Sequence, residues 1–509
     1  MKSKSLITLL FAILFVVLFY HKTWGLNLFL FQLSLIAYLV SIHRKEMVKV
    51  HYYLLIGSMI SILSTFFYHS YLGMWVSIFS LLSFAVSLQH KEIKSFHIAL
   101  ISSIVTIPQA FGKFVISFTS LKSNSNGAKS RMGKSLFYVL VVPIILLFLF
   151  LYGKANPAFE KINTGILQSI EDTWVFVFSD INWDFFFYFL LGISITVPLL
   201  FTYVLPSWLK RDIENVLVLH RSRIRKYNSQ TLFKFSMGLK METKVGQFLL
   251  ICLNASLLVL LFFEIRDVWF GFTWDGGMLK EFVHQGIWIL IISILISMMI
   301  ALYFFRDNLN FFSKANNFKI MMYVWVGLNV ILALSVFVRT FIYIEYFALA
   351  YKRIGLIFFL LAVVVGLVSV AIKIYQKRNL FYLLRVNSWA VYGILIVMCL
   401  VNWDVVIAKY NLSRKHVAFV HLNFMVTLSD KALPYLDESP QELKDAQGKH
   451  IKMFRMSSSS FEQQYMIAET YGNQLKARKE NFIASWETKS WLEWNPANHF
   501  AYQKLTETE

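Results

Sequence analysis

The stretch Asn402-Trp403-Asp404, Ile407-Ala408-Lys409-Tyr410-Asn411-Leu412 and Leu428-Ser429-Asp430-Lys431-Ala432-Leu433-Pro434-Tyr435-Leu436 is where the character of this chain changes. Before it, apolar residues recur in runs of about 18–22, long enough to cross a hydrocarbon core at 1.5 Å per helical residue. After it, residues 410–509 read as a water-soluble tail. Of 509 residues, 57% are hydrophobic and 15% charged, with a mean hydropathy of +0.57; soluble domains run near about a quarter charged. The alternation in segments of about ten residues that marks a membrane β-barrel is absent. The fold class is therefore all-α, a polytopic α-helical membrane protein with about 11–12 transmembrane helices and a small C-terminal helical soluble domain. Expected spans are 5–20, 25–42, 51–68, 72–89, 135–153, 185–205, 247–265, 285–305, 320–338, 354–372 and 388–408. They divide into N-terminal membrane helices (1–134), a core bundle (135–409) and the tail (410–509).

A net charge of +20 suggests nucleic acid until it is located. The tail carries 12 basic and 12 acidic residues, so the whole excess lies in residues 1–409. That is the basic bias of short cytoplasmic loops, and no nucleic-acid partner is expected. Arg44, Lys45 and Lys49, the linker 206–246 and the loop 373–387 should be cytoplasmic, with the N-terminus. The segment 154–184, with five acidic and two basic residues, should face outward. The loop 119–134 is basic and wants the cytoplasm, as does the Lys91–Lys94 loop. Residues 97–118 between them are therefore expected not to cross, being re-entrant or interfacial and bent at Pro108. Eleven crossings then put the tail outside, in the periplasm of a bacterial inner-membrane protein; a crossing at 97–118 would put it in the cytoplasm.

The basic, apolar N-terminus resembles a signal peptide, but His21-Lys22-Thr23-Trp24 offers no small-residue cleavage site, and an uncleaved helix is expected. Cys252 and Cys399 lie inside apolar runs and read as inert thiols. In the tail, 410–429 is expected to form one helical segment. A Ser459-x-x-Glu462 capping box should open another, bearing an apolar stripe of Phe461, Tyr465, Ala468, Leu475, Phe482 and Trp486. Asn182-Trp183-Asp184 echoes Asn402-Trp403-Asp404, and both stand at expected outer faces, where Trp prefers the interface.

Two stretches resemble a family of bacterial membrane proteins known as domain of unknown function 4153/4173. One is Arg339-x-x-x-Tyr343-Ile344-x-x-x-Ala348-Leu349-Ala350-x-x-Arg353, where the family tends to have Gly-Leu-Thr in place of Ala348-Leu349-Ala350. The other is the opening stretch, with Asn402, Tyr410, Asn411, Leu433 and Pro434 among its matching positions. The resemblance implies a polytopic inner-membrane protein and no established activity.

Ionisable residues near span ends are the usual functional candidates, because burying a charge in hydrocarbon is costly. Asp184, Glu264, Arg266, Arg339, Glu345, Arg353 and Asp404 cluster at expected outer ends. They read as a shared polar site or, more simply, as anchoring and pairing among helix ends. Arg221, Arg223, Arg225 and Lys226 suit anionic lipid headgroups or orientation alone. No residue pattern points to a catalytic site, a metal or a cofactor: His416 and His421 do not share a helical face, and phosphate loops, nucleophile elbows and CxxC pairs are absent. The function expected is a non-enzymatic sensing, signalling or envelope-assembly component, with the lipid bilayer and a membrane or periplasmic protein bound through 410–509 as partners. The alternatives are a permease for a small or lipidic solute and, more weakly, an envelope enzyme with a site at the outer membrane face.

Overall fold

Long apolar runs free of internal breaks form helices that satisfy their own backbone, which is what a hydrocarbon solvent demands. The computed structural model describes residues 2–119, 152, 182–204, 206–213, 217–221, 239–272, 279–306, 308–453 and 457–507. Among these, nine helices are long and apolar enough to cross a membrane. The protein is an all-α polytopic membrane protein.

The first half holds α1 (Lys2–Phe19), α2 (Leu26–His43), α3 (Lys49–Tyr68), α4 (Tyr71–Gln89), α5 (Phe96–Val105), α6 (Ile107–Thr119) and α7 (Trp183–Leu200). Its core is aromatic, with Phe11, Phe15, Phe19 and Phe31 edge to face or stacked. On α4, Ser77, Ser80, Ser83 and Ser87 recur every three or four residues and are fully buried. Such small side chains let helices approach closely in the absence of a hydrophobic drive between them. The same logic brings α7 onto α1: a Cβ on Gly192 would sit 2.9 Å from the Ala12 Cα and carbonyl oxygen.

The second half holds α8 (Pro206–Ile213), α9 (Leu239–Phe263), α10 (Leu279–Phe304), α11 (Asn316–Phe347), α12 (Tyr351–Tyr375) and α13 (Leu380–Cys399). A seven-residue π-helical segment, Glu264–Phe270, continues α9. Helix α11 is the axis of this half, burying Phe318, Met322, Leu332, Ala333 and Val336. Helix α13 is the shared wall between the halves. Leu383 packs in the second core, and Tyr392, Ile396 and Cys399 pack in the first. The end of the bundle away from the tail is tied by Asp212. It accepts from Lys94 N (2.7 Å), Ser95 N (3.1 Å), Ser95 Oγ (2.6 Å) and Arg385 Nη2 (2.8 Å).

The tail comprises α14 (Trp403–Ser413), α15 (Leu422–Met425), a 3-10 segment Asp430–Tyr435, α16 (Pro440–Met453), α17 (Ser458–Gln464), α18 (Ala468–Glu487), a 3-10 turn Trp491–Glu493 and α19 (Pro496–Thr506). Its core joins Ile407, Leu412, Met425, Leu433, Tyr471, Leu475, Phe482 and Leu505 to Ala348 and Ile354 of the bundle.

Several expectations shift. The last span runs Leu380–Cys399 rather than 388–408. Asn379 caps it, accepting from Tyr382 N at 3.0 Å, and residues 403–413 form a separate helix because Ile407, Ala408 and Leu412 have the tail core to bury against. Residues 410–429 are not one helix: α14 stops at Ser413, and only Leu422–Met425 resumes. The cap of α17 is Ser457, which accepts from Ser460 N at 3.2 Å, so the box at Ser459 is not used. The apolar stripe breaks at Tyr465, between α17 and α18. Residues 97–118 form α5 and α6, bent by 59°. The break is at Thr106, whose Oγ1 donates to Tyr203 O at 2.9 Å, two residues before Pro108. The expected span 135–153 lies outside the described residues apart from position 152, as do Arg223, Arg225 and Lys226.

The two kinds of glycine predict opposite outcomes. Gly192→Ala pushes a methyl into backbone, and thermal melting of the purified protein should fall by the equivalent of about 1–3 kcal/mol. Gly355→Ala, on α12 with nothing within 4 Å of the new Cβ, should raise melting slightly, by up to about 1 kcal/mol. Equal effects from both would show that α1 and α7 are not in close contact.

Candidate functional site

The last carbonyls of a helix lack partners within it, and at the end of the 32-residue α11 other segments supply them. Phe419 N donates to Tyr346 O at 2.7 Å. Arg353, in the first turn of α12, reaches back and donates through Nη1 to Phe347 O at 2.6 Å and also to Ala348 O. A cation beside exposed carbonyls also complements the helix dipole. Its guanidinium lies over the Tyr343 ring, 4.4 Å from the centroid. Asn411 completes the turn: its Oδ1 accepts from Leu349 N at 2.7 Å and its Nδ2 donates to Leu349 O at 3.0 Å. The side-chain amide thus pairs with one residue's backbone as a neighbouring strand would. Ala348 is held at φ 62°, ψ −170°, a region suited to glycine.

Beside this turn, Asp404 sits in the first turn of α14, where the helix dipole favours an anion. Its Oδ1 accepts from the Tyr351 hydroxyl and from Ser429 N (3.2 Å). Its Oδ2 is 2.8 Å from Lys431 Nζ. Lys431 is 3% exposed and also donates to Tyr68 O at 2.8 Å and His69 O at 3.2 Å, at the α3–α4 turn. Burial alone would raise the Asp404 carboxyl, but Lys431, Tyr351 and Ser429 outweigh it and hold it below its ordinary value. Burial pushes the Lys431 ammonium down, and Asp404 opposes this. His69, at φ 45°, stacks face to face on Trp24, with ring centroids 3.7 Å apart. Burial first, then Lys431 and Lys489, hold its imidazole down to about 3 from an ordinary 6.5.

A second clasp lies at the α1–α2 turn. Glu493 Oε1 accepts from Thr23 N (2.8 Å) and Thr23 Oγ1 (2.6 Å), while Oε2 accepts from Ser490 N (3.1 Å). Burial favours the neutral acid, but these hydrogen bonds prevail and lower the carboxyl's pKa. Leu26 N donates to Trp494 O at 2.9 Å. A Cβ on Gly25 would meet the Glu493 carbonyl oxygen at 2.2 Å, so this backbone approach requires glycine.

A model of the family described as Domain of unknown function (DUF4153) matches residues 8–439. The chain belongs to this family. No curated protein and no solved structure matches it. The match ends inside the tail, close after Leu436, so it takes in both DUF4153-like motifs and the Asp404–Lys431 pair. Those motifs interlock. Tyr343, Ala348 and Arg353 build the turn and Asn411 clamps it. Leu433 is fully buried, and Pro434 sits in the 3-10 segment whose Lys431 holds Asp404. Tyr410 accepts from Arg414 Nη1 at 3.2 Å. Asn402 is the N-cap residue of α14 but makes no side-chain cap. At the echo, Asn182 does cap α7, accepting from Phe185 N at 3.0 Å, so the repeated triplet marks two helix starts with an acid in the first turn.

The seven outer-end charges do not converge on one site. Glu264 and Arg339 form a buried pair, with Arg339 Nε at 3.0 Å and Ser335 Oγ at 2.6 Å from Glu264 Oε2. Trp269 Nε1 donates to Ser335 Oγ at 3.3 Å. Arg266 pairs with its neighbour Asp267 (2.6 Å), and Asp184 with His21 (3.3 Å), both at the exposed surface. Glu345 is exposed. Arg353 and Asp404 belong to the junction, along with partners that spacing does not reveal: Tyr351, Lys431, His69, Thr23 and Glu493. The signal for Lys431 was its place between Leu428 and Leu436. His69 and Thr23 carry no local signal, because their partners are 362 and 470 residues away.

Three outcomes test this junction. Lys431→Met leaves a buried carboxylate without its cation and should cost about 3–5 kcal/mol, with Asp404→Asn added in the same chain restoring part of it; protease susceptibility of the tail and thermal melting report both. Ala348→Gly relieves a strain of about 1–3 kcal/mol at the loss of one buried methyl worth about 0.8 kcal/mol, so melting should rise. Acid should loosen the tail. A depressed histidine stabilises docking above pH 6.5, and that contribution declines as pH falls toward 3, with the depressed Asp404 and Glu493 adding losses at the acid end. The thermal melting temperature of the wild type should fall as pH drops from 7 to 4, and fall less in His69→Gln; a wild-type melting temperature that does not change over that range refutes this.

Proposed function

We propose that this chain is a non-enzymatic component of a bacterial inner membrane that holds a folded tail rigidly on the outer face, for sensing, signalling or envelope assembly. The observation that carries the reading is the junction itself. Lys431, Asn411 and Glu493 bind the tail to the α3–α4, α11–α12 and α1–α2 turns. These are three separate places on one face of the bundle, as a display platform requires. Basic residues support the orientation. Arg44, Lys45, Lys91, Lys94, Lys373, Lys377 and Arg385 all lie at or near helix ends opposite the tail, where cytoplasmic loops belong. A partner of the tail would meet its exposed surface, which includes Trp491 at 67% exposure.

Two measurements test the proposal. A cysteine at Ser458, which is exposed, should be labelled by a membrane-impermeant thiol reagent on intact spheroplasts; labelling only after lysis rejects the outer-face tail. The full-length protein should retain a defined partner on affinity purification and release it when Trp491 is changed to Ser. Solute-dependent thermal stabilisation with uptake into vesicles would instead establish a permease.

A further inference from the structure

At the end of the bundle away from the tail, a groove of about 310 Å³ opens between α10 and the α12–α13 turn. Its walls are Met299, Leu302, Tyr303, Arg306, Lys373 and Leu380. Met299 is 68% exposed and Leu380 57%, so the groove faces outward from the bundle, where a membrane protein meets lipid tails. Yet it is not uniformly apolar. Arg306 is fixed at one side: its guanidinium lies 4.0 Å from the centre of the Tyr303 ring, and Nη1 donates to Tyr303 O at 3.0 Å. Arg306 Nη2 also forms an ion pair with Glu242 Oε1 at 3.7 Å, so a bound anion would share the guanidinium with that carboxylate. Lys373 is buried in the wall and donates to Phe305 O at 2.7 Å. Lys377 and Arg378 stand on the turn that leads into Leu380. That turn is itself held in place, since Leu219 N donates to Lys377 O at 2.8 Å and Asn379 N to Leu217 O at 2.9 Å.

We propose that this groove is a binding site for one anionic phospholipid. Its phosphate lies against the Arg306 guanidinium, and an acyl chain rests on Met299, Leu302 and Leu380. The charge pattern selects the occupant. Cations at one end of an apolar trough complement a molecule with an anionic head and an apolar tail, and a planar, pre-oriented guanidinium matches phosphate geometry. The volume, at the low end of ligand pockets of roughly 300–1,000 Å³, takes the head and the upper part of one chain while the remainder stays in the bilayer. The site is independent of the tail and of what the tail does.

The test uses the full-length protein reconstituted in phosphatidylcholine vesicles with or without phosphatidylglycerol, then released into detergent for native mass spectrometry and thermal melting. The wild type should retain phosphatidylglycerol in preference to phosphatidylcholine and melt higher with it. Arg306→Gln should cut that retention about tenfold, the value of one charge-assisted contact. Leu380→Trp, which fills the trough from an exposed position, should do the same while melting like the wild type in phosphatidylcholine alone. If Arg306→Gln does not fold, Leu380→Trp decides. Equal retention of the two lipids, or undiminished phosphatidylglycerol in Leu380→Trp, overturns the site. Inorganic phosphate raising the melting temperature as much as phosphatidylglycerol does would assign it to a free anion instead and equally overturn the proposal.

Discussion

One buried ammonium group makes the most demanding of the joins between the tail and the bundle. Lys431 leaves the tail, loses its water, and recovers three partners: the Asp404 carboxylate and the adjacent carbonyls of Tyr68 and His69. A charge in such a position is tolerated only when paired and hydrogen-bonded. The arrangement is therefore demanding. The start of α14, the 3-10 segment and the α3–α4 turn must all be in register for any of the bonds to form. Asp404 has its own requirements, met by Tyr351 and Ser429, so the α12 start is drawn into the same network.

The end of α11 follows the same principle with uncharged groups. A 32-residue helix ends in carbonyls that its own turns cannot satisfy, and Phe419, Arg353 and Asn411 satisfy them or fix the turn that follows. The stretches that resemble the DUF4153 family fall on these joints: Tyr343 under the Arg353 guanidinium, position 348 in a glycine-like conformation, Asn411 against Leu349. Ala348 holds a backbone geometry that glycine would adopt without strain. The Glu264–Arg339 pair is a separate matter, buried deeper along α11 beside the π-helical segment.

Much of this was open to reading from residue order. Apolar runs of membrane length placed the helices, because in hydrocarbon each helix must satisfy its backbone alone. The neutral tail and the change of character near Asn402 placed the soluble region. Errors arose where a local pattern was ambiguous and a distant partner resolved it. Residues 403–408 are apolar enough to extend a span, yet they fold into a separate helix because Ile407 and Ala408 fit the tail core. Ser457 and Ser459 are both plausible caps by type, and chain geometry chose the former. The seven outer charges looked like a single set; packing divided them into a buried pair, surface pairs and a junction.

The sequence by itself determined which segments are long and apolar enough to cross a membrane, since hydrophobicity and length act locally and need no partner. Two helix starts are equally local, since Asn182 and Asn379 cap only the residues just after them. The tertiary structure alone decided which polar groups meet. His69 and Lys431 are 362 residues apart, and Thr23 and Glu493 470. Whether such groups pair, and so can be buried at all, depends on the whole bundle closing around them.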